Sequence, residues 1–128
     1  MNKGKLAEYK KCIKGLLEYM HKNGCKVKPY PRFIFNETNQ GDKLKINTGF
    51  YNPEDRSVTI FVHGRGFKDC MRSIAHELIH HMQNLEGRLG AGTYEGQEII
   101  KDNRLQKLEE EAYLKGNILF RRYTEEID

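Results

Sequence analysis

Apolar residues near the start of the chain recur with a helical period. Leu6, Tyr9, Ile13, Leu16, Leu17 and Met20 share one stripe, with lysines and glutamate opposite, which predicts a helix over residues 4–22 with one face on a core. Asn23-Gly24 ends it, and His21 in its last turn reads as a surface residue compatible with the helix dipole rather than as a ligand. Residues 26–31 contain Pro29 and Pro31 and are extended or turning, after which Arg32-Phe33-Ile34-Phe35 reads as a short strand. A polar run with Gly41 makes a turn of residues 36–42. Lys43-Leu44-Lys45-Ile46-Asn47 then alternates strictly, as a strand with one buried face does, and extends at most to Tyr51. Asn52-Pro53-Glu54-Asp55 is a strong turn signal, and Ser57-Val58-Thr59-Ile60-Phe61-Val62, rich in β-branched residues, is the best strand in the chain.

A second amphipathic stretch follows the connector His63-Gly64-Arg65-Gly66, with Asp69 as candidate N-cap. Met71, Ile74, Leu78, Met82 and Leu85 form its apolar back, while Asp69, Ser73, Gln83 and Asn84 share the opposite face with His76 and His80, as on the floor of a wet cleft. Residues 87–103, with Gly87, Gly90, Gly92 and Gly96, show little periodicity; a loop of that length in so short a chain is functional or mobile. From about Arg104 to Tyr123 the pattern is helical again. The order predicts an α+β fold: an N-terminal helix, a small twisted sheet of about three strands, a histidine-bearing helix, a long loop and a C-terminal helix.

Composition narrows the picture further. At 128 residues the whole chain is expected to be one domain, with any active site a shallow groove rather than a cleft between lobes. The formal charge of +4 comes from 22 basic and 18 acidic residues scattered without blocks, so the charges read as a solvated surface and nucleic-acid binding is not expected. The N-terminus has no apolar signal region and no stretch reaches transmembrane length, so a soluble cytoplasmic protein is expected. Cys12, Cys25 and Cys70 are odd in number and unrelated in spacing, which points to reduced thiols rather than a disulfide framework or a cysteine metal site.

The candidate chemistry lies in His76-Glu77-Leu78-Ile79-His80, an H-E-x-x-H pattern. Two imidazoles four residues apart leave a helix on one face, one turn apart, so both reach a single tetrahedral Zn²⁺. With His76 at 0°, His80 falls near about 40° and Glu77 near about 100°. The carboxylate thus flanks the metal without having to bind it, which is the place for a general base.

A catalytic zinc needs a third protein ligand. No histidine follows His81, so the ligand is sought among the downstream carboxylates Glu109, Glu110 and Glu111. On the helical wheel Glu109 sits in the middle of the stripe formed by Leu105, Leu108, Ala112, Tyr113, Gly116, Leu119 and Phe120. A carboxylate there is costly unless paired or bound to a metal. Glu111, between Lys107 and Lys115, reads as a solvated ion-pairing residue whose loss should leave metal binding unchanged. Glu110, at the stripe's edge, is the alternative ligand.

His76-Glu77-x-x-His80 followed by Glu109-x-x-Ala112 resembles the gluzincin clan of metallopeptidases in its small single-domain form, similar to minigluzincins and to zincins of phage and bacterial regulatory systems. The resemblance covers Ser57 to about Phe120. It implies a zincin-like core, a small sheet packed on the zinc helix with the glutamate helix crossing beneath the metal. It also implies zinc-dependent peptide hydrolysis, with His76, His80 and Glu109 as ligands and Glu77 as base. Many gluzincins carry Asp or Asn after the alanine to orient a zinc histidine; here Tyr113 stands in that place. Related enzymes stabilise the oxyanion with Tyr, His or Arg, for which Tyr94 and His81 are the candidates, although His81, turned toward the core edge of the wheel, reads better as structural. A peptide is expected to add as a strand along residues 57–62. The alternative is a catalytically inactive zincin-fold module that binds a protein or nucleic-acid partner, a reading the intact Glu77 disfavours.

Overall fold

A computed structural model describes residues 1–42, 44–89 and 103–127. Among these residues the architecture is α+β, with three helices and a small mixed sheet of three strands. Helix α1 spans Lys3–Lys22, and the Asn2 side chain caps it by accepting from the Lys5 N–H at 2.8 Å. Its stripe is buried as the pattern predicts, at Tyr9, Ile13, Leu16, Leu17 and Met20. Strands β1 (Arg32–Asn36), β2 (Gly49–Asn52) and β3 (Ser57–Phe61) lie in the order β1-β3-β2, with β1 parallel and β2 antiparallel to β3. Helices α2 (Phe67–Leu85) and α3 (Asn103–Ile127) complete the chain.

β3 is the centre of the sheet. Ser57, Val58, Thr59 and Ile60 are all buried, which fits a β-branched strand with neighbours on both sides. This overturns the expectation that a peptide adds along residues 57–62, because both edges of β3 are already paired.

The alternating segment around Leu44 and Ile46 is not a strand. Leu44 is fully exposed, and β2 begins only at Gly49. Strict alternation needs a partner strand to become a ladder, and the sheet offers none there. The Gln40 side chain takes both backbone groups of Asn47 instead, at 2.9 and 2.8 Å.

α2 packs on α3, on β2 and β3, and on α1, so it is the element every other layer touches. Its buried set includes Cys70, Met71, Ile74, Ala75, Leu78, Ile79 and Met82, and Tyr9 of α1 packs between Phe35 of β1 and Phe67 of α2. α2 starts earlier than expected: Gly66, not Asp69, is its N-cap, and Asp69 lies inside the first turn. Where α2 meets α3 the backbones come very close. A Cβ on Gly116 would stand 3.0 Å from His76 Cα and 3.1 Å from His76 N, so only glycine fits without moving a helix. That approach sets α3 directly against the histidine turn of α2. No helix among the described residues is long and apolar enough to cross a membrane.

Candidate metal centre

His76 and His80, one turn apart on α2, both direct Nε2 at the Glu109 carboxylate on α3. His76 Nε2 lies 2.6 Å from Glu109 Oε1, and His80 Nε2 lies 3.0 Å from Oε2. One ligand atom from each of these residues falls within 4.8 Å of the other two. Tetrahedral zinc with bonds of about 2.05 Å separates its donors by about 3.3 Å. The 2.6 and 3.0 Å separations are shorter than that, so the partly exposed Glu109 would draw back from the imidazoles to admit such an ion. The alternative ligand Glu110 is exposed and among the described residues meets only Gln106, so the structure brings Glu109 and not Glu110 to the histidines.

Gln83, which the sequence pattern placed on the wet histidine face without a role, sets the tautomer of His80. Gln83, fully buried one turn on, has its amide nitrogen between two acceptors, Leu108 O at 2.8 Å and Glu111 Oε1 at 2.9 Å. Two acceptors facing one amide atom identify it as NH₂. The amide oxygen then faces His80 Nδ1 at 2.8 Å, so Nδ1 carries the proton and donates. A neutral His80 ring consequently turns an Nε2 lone pair toward Glu109. Two electron pairs facing each other at that distance call for a cation between them, a proton or a metal ion, and the donor set of two imidazoles and a carboxylate fits Zn²⁺.

This corrects the reading of Glu111 as a merely solvated residue. It pairs with Lys115 at 3.2 Å as the spacing suggested, but also with Arg88 at 3.0 Å, and it anchors the Gln83 amide. Gln83 likewise belongs to the α2/α3 interface rather than to a wet face. The signal for it was present in the spacing, since position 83 lies one turn after His80 on the same side of the helix. Tyr113 does not take the orienting role: it is exposed, sets its ring edge-on to His76, and makes no hydrogen bond to it among the described residues.

Glu77 is 6% exposed and lines a cleft of about 400 Å³ with His76, His80, Glu109, Asp69, Ser73 and the β2 edge at Thr48 and Gly49. Burial pushes its carboxyl above the usual range, against the opposing pull of His80 and His76. Burial resists charge on Glu109 too, but the two neighbouring imidazoles, when protonated toward it, outweigh burial and hold the carboxyl well below the usual range. His76 is the converse case: burial disfavours its charge, while Glu109 and Glu77 together raise its pKa above the ordinary value. The two glutamates thus differ in role. Glu109 is committed to the imidazoles, whereas Glu77 stands beside them and faces the cleft.

The cleft wall is held by Arg65, which the pattern showed only as part of a connector. Its guanidinium reaches Asp69 Oδ2 at 2.9 Å, Phe61 O at 2.6 Å, Thr48 O at 2.9 Å and Ser73 Oγ at 2.6 Å, tying the residue before β2, the end of β3 and the first turns of α2 together.

Of the two oxyanion candidates, Tyr94 lies outside the described residues. His81 points away from the cleft: its Nε2 donates to Pro29 O at 2.7 Å, and its Nδ1 accepts from the Tyr51 hydroxyl at 2.7 Å, which in turn accepts from Asn84 at 3.0 Å. It is a structural histidine joining α2 to β2 and to the segment before β1. Comparison with protein-family models, with curated proteins and with solved structures finds no match, so the chemistry of the site rests on its own geometry.

Proposed function

We propose that the chain is a zinc-dependent metallopeptidase in which His76, His80 and Glu109 hold the metal and Glu77 is the general base. The observation that carries the reading is the buried Glu77 carboxylate, open to the cleft beside the three converging donors but not among them. A purely structural metal site has no use for such a group. Two histidines and a glutamate are also a catalytic donor set, which leaves a fourth position for water or substrate.

Bound at this triad, Zn²⁺ supplies Lewis acidity toward a scissile carbonyl and lowers the pKa of water toward about 7. Glu77 takes the proton of the attacking water and returns it to the leaving amine. Burial raises its pKa above the ordinary carboxyl value, the direction that makes it a stronger base. Gln83 holds His80 with the proton on Nδ1, which would leave Nε2 free to hold the metal. The edge available to an extended substrate is β2, whose approach at Thr48 and Gly49 lines the cleft, and backbone pairing there favours a peptide over a compact small molecule.

The test compares wild type with Glu77→Gln for zinc content by elemental analysis and for cleavage of an unstructured protein. Both proteins should carry one zinc per chain, and only wild type should cleave, losing activity with a chelator and regaining it with added zinc. Equal cleavage by the two would end the peptidase reading.

A further inference from the structure

A second groove of about 460 Å³ adjoins the cleft between α2 and α3, sharing Arg72, Tyr113 and Asn117 with it and adding Lys68, Arg121 and Thr124. The helices place these side chains as a ladder. On α2, Lys68, Arg72 and His76 are each four residues apart and leave the same face; on α3, Tyr113, Asn117 and Arg121 do likewise. Four helical residues rise about 6 Å, so Arg72 stands about 6 Å and Lys68 about 12 Å along the axis from His76.

The charge along this ladder is of one sign. The nearby carboxylate Asp69 is engaged by Arg65. Among the described residues Arg121 forms an ion pair only with Glu125, at 3.9 Å on the exposed surface, and Lys68 and Arg72 make none. Three cations therefore line a groove that adjoins the cleft of the triad, with the hydrogen-bonding groups of Asn117 and Thr124 between them.

We infer that this groove binds acidic side chains of an extended peptide on one side of the scissile bond, making the proposed peptidase selective for acidic sequences. The inference rests on the peptidase reading for its substrate and supplies that reading with a substrate class. An extended peptide advances about 3.3 Å per residue. Arg72 accordingly meets a side chain about two residues from the bond at the metal, and Lys68 with Arg121 meets one about four residues away. Residues two apart on an extended chain point the same way, so a Glu-x-Glu spacing places both carboxylates in the groove.

The test uses zinc-loaded Glu77→Gln, so that binding is read without turnover. A fluorescein-labelled extended peptide with two glutamates in that spacing is compared by anisotropy with its glutamine twin and with a labelled single-stranded oligothymidine. Each exposed ion pair is worth a factor of about 1.5 to 5, so the glutamate peptide should bind about tenfold tighter than the twin. The preference should shrink with salt and disappear when Lys68→Glu, Arg72→Glu and Arg121→Glu are combined in this background, with zinc content and circular dichroism showing that the triple variant is folded. Equal binding of the two peptides, or a preference that survives in the triple variant, overturns the inference. Tighter binding of the oligonucleotide than of the glutamate peptide overturns it in favour of a nucleic-acid groove. A glutamate preference in a protein whose wild type cleaves neither peptide with zinc present leaves the groove standing and removes the peptidase reading.

Discussion

Replacing Gln83 by leucine keeps the buried volume of the side chain and deletes its amide. Three interactions go at once: the acceptor for His80 Nδ1, the donor to Glu111, and the donor to Leu108 O. The Leu108 carbonyl lies inside α3 and keeps its helical partner, and Glu111 keeps Arg88 and Lys115, so the serious loss falls on the buried Nδ1–H. Removing one partner of a buried hydrogen bond costs about 1–3 kcal/mol of stability. Removing the group that fixes the tautomer of a metal histidine costs about 10- to 100-fold in metal affinity, or about 1.4–2.7 kcal/mol. The assay is a zinc titration against a competing chelator for wild type, Gln83→Leu, Glu111→Ala and the double variant. Among the described contacts Glu111 reaches His80 through the Gln83 amide, so Glu111→Ala should weaken zinc binding less than Gln83→Leu and add little to it in the double variant. Wild-type affinity in Gln83→Leu, or full additivity of the two changes, would refute the reasoning.

Glu77→Gln should lower turnover by about 10² to 10⁴-fold at unchanged zinc stoichiometry, measured as kcat on a peptide that wild type cleaves. Gly116→Ala gains helix propensity of about 1 kcal/mol but sets a methyl 3.0 Å from His76 Cα, an overpacking that costs about 1–3 kcal/mol; the expected result is weaker zinc binding even where the urea midpoint barely moves. Tyr51→Phe leaves His81 Nδ1 and Asn84 without the hydroxyl between them and should cost about 1–3 kcal/mol in urea unfolding while zinc stoichiometry is kept. Burial holds His81 below its ordinary pKa of 6.5, so between that value and the lower folded one the unfolded chain binds more protons. Its stabilising contribution is complete above about pH 6.5 and is lost as pH falls through that window. The stability advantage of wild type over His81→Gln should therefore shrink from about pH 7 to about pH 5, and an advantage that grows on acidification would reverse the sign of the argument.

The sequence by itself determined those features whose cause is local. The helical stripe of α1, the β-branched run of β3 and the one-turn spacing of His76 and His80 are short-range patterns, because a helix or strand repeats its geometry every few residues. Glu109 was legible for a related reason: a carboxylate in the middle of an apolar stripe declares that something must compensate it. Tertiary structure decided whatever depends on which elements become neighbours. The alternation around Leu44 had the right period but found no partner, since β3, beside which it would have to run, ends at Phe61 opposite Thr48. Glu111 looked like a solvated lysine partner because its own helix offers lysines. Its bond to Gln83 and its pairing with Arg88 exist only because α3 lies against α2 and the segment that follows it. That contact depends on Gly116, where the missing side chain lets two backbones meet and brings a carboxylate 29 residues from His80 within 3.0 Å of its ring.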